Sequence, residues 1–401
     1  MSDVAVGATK LAIDGGEPIR KDLLPYARQW IDERDIAAVT DALRSDWLTT
    51  GPRVPQFERE LADWTGARHA VAFSSGTAAL HGATAAAGLA PGDEAITTPM
   101  TFAATANAVL YVGARPVFAE IDPGTLLIDP ERVAAAIGPK TKAILPVDYA
   151  GQPADYDALR QAAARAPSGP LTIIADAAHS LGAAWNGRAV GTLADMTVLS
   201  LHPAKIMTTG EGGAVLTDRD DYAEALRRFR NHGIGTELSA RRDWTYAMVE
   251  LGFNYRLTDV AAALGTSQLR RVPEFLDRRR ELAERYRRRL AGHALLDIPV
   301  VAPAANPGWH FYFVQLRLDR LRVDRGAVYR ALRAEGIGVN VHYIPVHRHP
   351  YYREHFPGVH LPVAEAAYER LLTLPLFPAM SDRDLDDAVA ALDKVTTAYA
   401  A

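Results

Sequence analysis

Three short stretches carry residue types that could do chemistry. The first, D-M-T-V-L-S-L-H-P-A-K-I-M-T-T-G-E-G-G, runs from Asp195 to Gly213 and holds one lysine, Lys205. It begins as an apolar, β-prone run, Met196 to Leu201, and is followed by a second short strand, Ala214 to Leu216. An ammonium ion between buried strands is costly unless it is paired or its pKa falls. That setting turns a lysine amine into a nucleophile toward a carbonyl. A surface lysine in a hairpin loop has the same local sequence, and this stretch alone favours that plainer reading.

The second stretch is D-A-A-H-S-L-G, Asp176 to Gly182, at the end of the apolar run Leu171 to Ala175. Ligands of open α/β sheets bind at the C-terminal ends of strands. A carboxylate there needs a partner, either a backbone cap or the protonated ring nitrogen of a bound heterocycle. The third is S-S-G-T-A-A-L, Ser74 to Leu80, where the strand His69 to Phe73 gives way to a helix near Thr77. Exposed amides, added hydroxyls and a helix N-terminus make a phosphate cradle. An ordinary strand–helix turn fits as well. The cofactor that needs all three features is pyridoxal 5′-phosphate. Its phosphate needs donors, its pyridine nitrogen a carboxylate and its aldehyde a lysine amine.

The elements that must position these residues alternate along the chain. Strands are expected at Ala95 to Thr98, Pro116 to Glu120, Ala143 to Val147 and Leu171 to Ala175. Helices are expected at Phe102 to Tyr111, Pro130 to Ala136 and Tyr156 to Ala164. Such βαβ alternation implies a mostly parallel sheet with helices on both faces. Ahead of it come the helices Ile31 to Leu43, with Asp32 as N-cap, and Pro52 to Trp64. After it come helices at Asp220 to Arg230, Leu257 to Leu269 and Pro273 to Leu290. The last carries seven arginines, Arg278, Arg279, Arg280, Arg285, Arg287, Arg288 and Arg289, interleaved with Glu281 and Glu284, which reads as a solvated face. A Pro- and Ala-rich linker, Ala302 to Gly308, precedes a small α+β unit. That unit has strands at Phe311 to Leu318 and Val339 to His342 and helices at Gly326 to Glu335 and Asp382 to Thr396. The expected division is an N-terminal segment 1–30, a large α/β domain 31–272 and a small C-terminal α+β domain 273–401.

The 401 residues are 48% hydrophobic and 23% charged with a net charge of −4, which gives no sign of a nucleic-acid partner. The absence of cysteine excludes disulfides, thiolate metal sites and a Cys nucleophile, and fits a reducing cytosol. The N-terminus is too polar for a signal peptide, its first ten residues are expected to be loose, and no apolar run approaches about 20 residues. A cytoplasmic protein that does not enter a membrane is expected. His342, His347 and His349 invite a metal reading, but no carboxylate stands at suitable spacing, so no metal is expected.

The three stretches, with T-T-P-M-T-F-A-A-T and L-G-F-N-Y-R-L-T-D-V-A-A-A-L-G, resemble the sugar aminotransferases of the DegT/DnrJ/StrS group, fold-type I enzymes that use pyridoxal phosphate. D-W-L-T-T-G-P-R-V, Y-I-P-V-H and L-P-L-F-P extend the resemblance over nearly the whole chain. The resemblance implies that Lys205 forms the internal aldimine and shuttles a proton. It implies that Asp176 pairs with the pyridinium nitrogen, His179 contacts the ring oxygen and Phe102 stacks on the ring. Gly76, Thr77 and Ser200 would serve the phosphate. Asn254 would reach the phosphate of a neighbouring subunit, which makes a homodimer with shared sites. Each residue also has a plainer reading: Phe102 as core, Ser200 as a strand residue, His179 as a satisfied buried histidine, Asn254 as a turn cap.

The implied reaction moves an amino group from L-glutamate to a keto group of a nucleoside-diphosphate-linked sugar. The stretch V-E-L-G-F-N-Y-R-L-T-D-V is most similar to members acting at C4 of UDP-linked 4-keto-6-deoxy-N-acetylhexosamines. A dTDP-linked keto sugar, C3 chemistry and a non-catalytic sugar-nucleotide regulator are the alternatives, and the presence of both Lys205 and Asp176 speaks against the last. Many members have histidine where this chain has Asp148, a position expected near the sugar.

Overall fold

The computed structural model describes residues 10–167, 169–235 and 244–401. The expected looseness of the first residues, Met1 to Thr9, lies outside them. Seven strands form the central sheet in the spatial order His69–Phe73, Gly213–Thr217, Met196–Ser200, Thr172–Asp176, Thr141–Leu145, Glu94–Thr97 and Arg115–Phe118. All neighbours are parallel except Gly213–Thr217, which runs antiparallel to both of its partners. The chain leaves Met196–Ser200, turns through the Lys205 loop and returns on that antiparallel strand. The sheet is apolar on both faces. Phe57, Ile96, Ile144, Leu159 and Ile173 fill one core, and Val71, Ala79, Leu145, Val198 and Leu226 the other. Burial on this scale stabilises at roughly 25 cal/mol per Å² of apolar surface.

Local chemistry sets the helix ends. Glu33–Leu43 starts in a capping box, in which the Asp32 carboxylate accepts from the amides of Arg34 and Asp35 and Asp35 accepts from the amide of Asp32. Gly76–Ala86 starts at Ser75, whose hydroxyl accepts from the Ala78 amide. This helix is apolar around most of its girth because it is buried from Ala78 to Thr84.

The helix Val272–Leu290 links this body to a second core built from Leu282, Tyr286, Tyr312, Val314, Leu372 and Leu392. Leu11 and Leu24, from the N-terminal segment, pack in that second core. Arg278, Arg285, Arg287 and Arg289 pair with Asp382, Asp386, Glu281 and Glu284, as a solvated face should. Arg279 does not belong to that face, since it is 1% exposed. A second difference concerns Val339 to His342, expected as a strand. Only Asn340 bridges there, to Thr373, and Pro345 follows shortly after. Leu371–Leu374 pairs antiparallel with Tyr312–Leu316. Among the described residues no helix is long and apolar enough to cross a membrane.

Candidate active site

The C-terminal edge of the parallel strands collects the three stretches. The Lys205 loop is closed by its own hydrogen bonds. The amide of Leu201 donates to Gly212 O at 2.9 Å, and the amide of Thr209 to Leu201 O at 3.0 Å. The Thr208 hydroxyl donates to the same Leu201 carbonyl at 3.0 Å, and the amide of Gly210 donates to Thr208 Oγ1 at 2.9 Å. Gly210 sits at φ +84°, a conformation that favours glycine. The lysine's own amide donates to His202 O at 2.9 Å. Part of the Lys205 side chain reaches solvent, but its amine lies deep. Burial draws its pKa down to about 8, while the Asp176 charge pulls it up. A sizeable fraction of the amine is therefore neutral near pH 8.

Asp176 is buried at the end of its strand. Its Oδ2 accepts from the Thr105 hydroxyl at 2.7 Å and its Oδ1 from the Ala178 amide at 3.2 Å. Burial raises its pKa, against the pull of these two donors and of Lys205. Each carboxylate oxygen accepts more than one hydrogen bond, so this set leaves capacity for a ring N–H. Thr105 was not singled out in the sequence, although it lies one helical turn after Phe102 in T-T-P-M-T-F-A-A-T. Its place one turn after Phe102 on the same expected helix was the available signal.

His179 is buried three residues beyond Asp176. Its Nε2 lies 2.9 Å from the Tyr343 hydroxyl, and its Nδ1 is buried with no partner in the protein. His310 lies 4.6 Å away, centroid to centroid. Burial, with Lys205 nearby, holds His179, His310 and His342 below the usual histidine range, so all three are neutral at pH 7. Tyr343 and His310 come from the second core's side and had no legible pattern of their own. Phe102 is 62% exposed, with its ring 6.2 Å from Tyr343, which rules out the core reading.

The cradle is tight. A Cβ on Gly76 would lie 3.0 Å from the Ser200 Cβ and 3.1 Å from its hydroxyl, so Ser200 flanks the turn directly. A Cβ on Gly213 would lie 2.5 Å from Ser75 O, so the return strand presses on the same turn. Thr77 is exposed in the first turn of the helix. The pyridoxal phosphate group fits these residues. It would set its phosphate on this turn and helix N-terminus, its ring nitrogen toward Asp176 and its aldehyde toward Lys205.

Asn254 behaves differently. Phe253 and Tyr255 turn their rings onto His81, at 5.0 and 5.9 Å, and the Tyr255 carbonyl accepts from the Ser74 amide at 2.8 Å. Asn254, between them, is exposed and bridges Asn231, and no hydrogen bond joins its side chain to the cradle among the described residues. Asp148 is held by protein groups alone among the described residues. It is fully buried, accepting from Ser180 Oγ at 2.5 Å, Tyr156 OH at 2.7 Å and the Ala154 amide at 2.9 Å. It therefore lies under the Asp176–Ser180 turn, with its carboxylate engaged by these three donors. Among the described residues no group of three or more His, Asp or Glu side chains is placed to hold a metal. His347 instead meets Glu365 at 2.9 Å, and His342 meets Thr373 at 2.8 Å.

This fold and site define a fold-type I enzyme that uses pyridoxal phosphate. A profile of the DegT/DnrJ/EryC1/StrS aminotransferase family matches residues 29–393, and the chain belongs to that family. It is a pyridoxal phosphate-dependent sugar aminotransferase. The spore coat polysaccharide biosynthesis protein SpsC of Bacillus subtilis is 41% identical over 380 residues, covering 93% of this chain and 97% of that protein. The putative sugar aminotransferase Spr1654 from Streptococcus pneumoniae, solved in a PLP form, superposes with a TM-score of 0.87 at 30% identity, covering 94% of this chain and 99% of that one. DesI, solved in the presence of its TDP-sugar product, superposes with a TM-score of 0.86 at 34% identity, covering 97% of both chains.

Proposed function

We propose that the chain moves the amino group of L-glutamate to the keto group of a sugar carried on a nucleoside diphosphate, at C4 of a UDP-linked 4-keto-6-deoxy-N-acetylhexosamine. The observation that carries the reading is the meeting of a depressed-pKa lysine, a buried carboxylate and a hydroxyl-flanked helix N-terminus at one sheet edge. The TDP-sugar product of DesI supports a nucleotide-linked acceptor, and the V-E-L-G-F-N-Y-R-L-T-D-V stretch supports the UDP-hexosamine choice.

When bound, the cofactor supplies an aldehyde and an electron-withdrawing ring. The chain's residues then have the following tasks. Lys205, part-neutral near pH 8, would present its amine to the aldehyde and its Nζ would carry a proton to and from the reacting carbon. Asp176, whose oxygens accept from Thr105 and the Ala178 amide and keep capacity for a further donor, would face the ring nitrogen and hold its proton. The Phe102 ring covers one face, as an exposed aromatic beside a polar site can. The Gly76 and Thr77 amides and the Thr77 and Ser200 hydroxyls hold the phosphate. The Nδ1 of neutral His179 is free to meet the ring oxygen.

The site is completed across a dimer. Trp244 and Leu251 stand 88% and 78% exposed, and Trp47 and Leu48 are exposed beside the first helix, large apolar side chains of the kind a second copy would cover. Asn254, exposed and without a side-chain hydrogen bond to its own cradle among the described residues, reaches the partner's phosphate in this reading. The proposed location is the cytoplasm, which the absence of cysteine from the sequence supports.

The absorption spectrum of the holoenzyme tests the donor: L-glutamate should convert the aldehyde form of the cofactor to the amine form. The acceptor is tested by adding UDP-linked and dTDP-linked keto sugars, as 3-keto and 4-keto compounds, to the amine form. Recovery of the aldehyde spectrum with a dTDP sugar alone would overturn the UDP assignment, and recovery only with 3-keto compounds would overturn C4.

A further inference from the structure

Arg279 is the one arginine of the linking helix's seven whose burial makes no sense as a solvated face. Its Nη1 donates to three main-chain carbonyls, His310 O at 2.9 Å, Leu376 O at 3.1 Å and Trp309 O at 3.2 Å. Its Nη2 donates to Lys205 O at 3.3 Å. Among the described residues no carboxylate comes within ion-pair distance of it, and its Nε has no partner. Burial draws its pKa down to about 9, so it is still a cation at neutral pH. A buried cation without a counter-ion is costly, and here the four carbonyls it meets must offset that cost. Arginine's planar fork of donors can reach several carbonyls at once.

The identity of those carbonyls is informative. One belongs to Lys205. Another belongs to His310, whose ring packs on His179. A third belongs to Trp309, which sits at φ +52°, a conformation a bulky residue keeps only when its surroundings enforce it. The fourth, Leu376, lies in the L-P-L-F-P segment of the second core. The next residue, Arg280, ties Pro307 O and Gly182 O in the same way, which fastens the helix to the far end of the Asp176–Gly182 stretch.

We infer that Arg279 is a positioning residue of the transamination site. It fixes the main chain of Lys205 against the crossing segment Trp309–His310 and the Leu376 segment, so that the lysine amine and the His179 wall keep one relative placement. The inference rests on Lys205 being the reactive amine.

The test uses cofactor-loaded Arg279→Met and Arg279→Lys. Lysine keeps the charge but cannot span all four carbonyls, and methionine spans none. Both variants should unfold at lower temperature, which a merely structural role also predicts. The discriminating readouts are the visible circular dichroism per bound cofactor, which reports its placement without turnover, and the split of the glutamate half-reaction into kcat and KM. Arg279→Met should change the visible dichroism and lower kcat about tenfold or more, because sub-ångström misplacement acts on the reacting geometry. Its KM for glutamate should stay within about threefold of wild type. Arg279→Lys should fall between the two. Wild-type dichroism and kcat in a less stable Arg279→Met would overturn the inference. If Arg279→Met does not fold, Arg279→Lys decides, and wild-type values there would overturn it equally. Borohydride reduction of the wild-type holoenzyme and peptide mapping separate the two ideas. A label on a lysine other than Lys205 overturns the underlying reading, whereas a label on Lys205 with unperturbed Arg279 variants overturns this inference alone.

Discussion

The amine of Lys205 is set between two opposed effects, burial lowering its pKa and Asp176 raising it. The uptake of pyridoxal phosphate by the cofactor-free protein should therefore quicken as pH rises through about 8, as the neutral fraction grows. Asp176→Asn removes the upward pull, so the midpoint of that profile should move to lower pH; a stopped-flow absorbance series reads both. Lys205→Ala should abolish the uptake signal while circular dichroism in the far ultraviolet stays unchanged. Asp148 makes a different prediction. Burial raises its carboxyl to about 6, above the ordinary value, despite three donors. A group with a raised folded pKa binds its proton more tightly when folded, so its contribution to stability declines as pH rises from about 4 to 6. Asp148→Asn stays neutral throughout. The melting temperature of the variant minus that of wild type should therefore be more favourable at pH 7 than at pH 4.5. A difference independent of pH would show that Asp148 does not ionise within this window.

At the scale of elements, two positions hold the site's backbone. Gly213 pairs with Ser200 on one side and meets the Ser75–Gly76 turn on the other. The added methyl of Gly213→Ala would stand 2.5 Å from Ser75 O and 2.7 Å from the Gly76 nitrogen, and both are backbone atoms that cannot swing away. Equilibrium dialysis should show cofactor affinity down by about tenfold or more, the loss of one or two phosphate hydrogen bonds. Undiminished affinity would show that this turn does not hold the phosphate. Asp259 is fully buried and its two oxygens accept from the amides of Gly51 and Arg53, at 2.8 Å each. It thus anchors the D-W-L-T-T-G-P-R-V loop and caps the helix Arg53–Thr65 from a distant part of the chain. Asp259→Ala should cost about 2 kcal/mol in denaturant unfolding, since two buried donors lose their acceptor. Asp259→Asn, which keeps one oxygen, should cost less.

At the scale of the whole molecule, the proposed dimer has a direct functional test. A Lys205→Ala subunit is combined with an Asn254→Ala subunit, once Asn254→Ala alone is known to be impaired. If Asn254 serves the partner's site, one site of the hybrid carries both lesions and the other neither. About half the wild-type activity should then return, as a C2 arrangement requires. If Asn254 serves its own site, each site carries one lesion and activity stays low. Sedimentation of an active monomer would end the proposal outright.

The sequence by itself determined the alternation of strands and helices, because short continuous apolar runs between turn residues and amphipathic helices leave local signatures. It also determined the order of cradle, carboxylate and lysine, since a Ser-Ser-Gly-Thr turn, a strand-end Asp and a lone Lys are each set by neighbouring residues. The family followed from those segments read together. Tertiary structure alone decided what depends on distant parts of the chain meeting. Thr105 reaches Asp176 across 71 positions, and Tyr343 reaches His179 across 164. Arg279 looked like its six neighbours until packing turned it inward onto four carbonyls. Asp148 lay next to a motif and proved to be buried beneath it. Leu371–Leu374, not singled out as a strand in the sequence, pairs with Tyr312–Leu316, while Val339 to His342 forms only one bridge, because strand pairing is chosen by the partner edge rather than by the run itself. Charge and hydroxyl groups carry no local pattern that names their partners, so burial and hydrogen bonding across the fold assigned them.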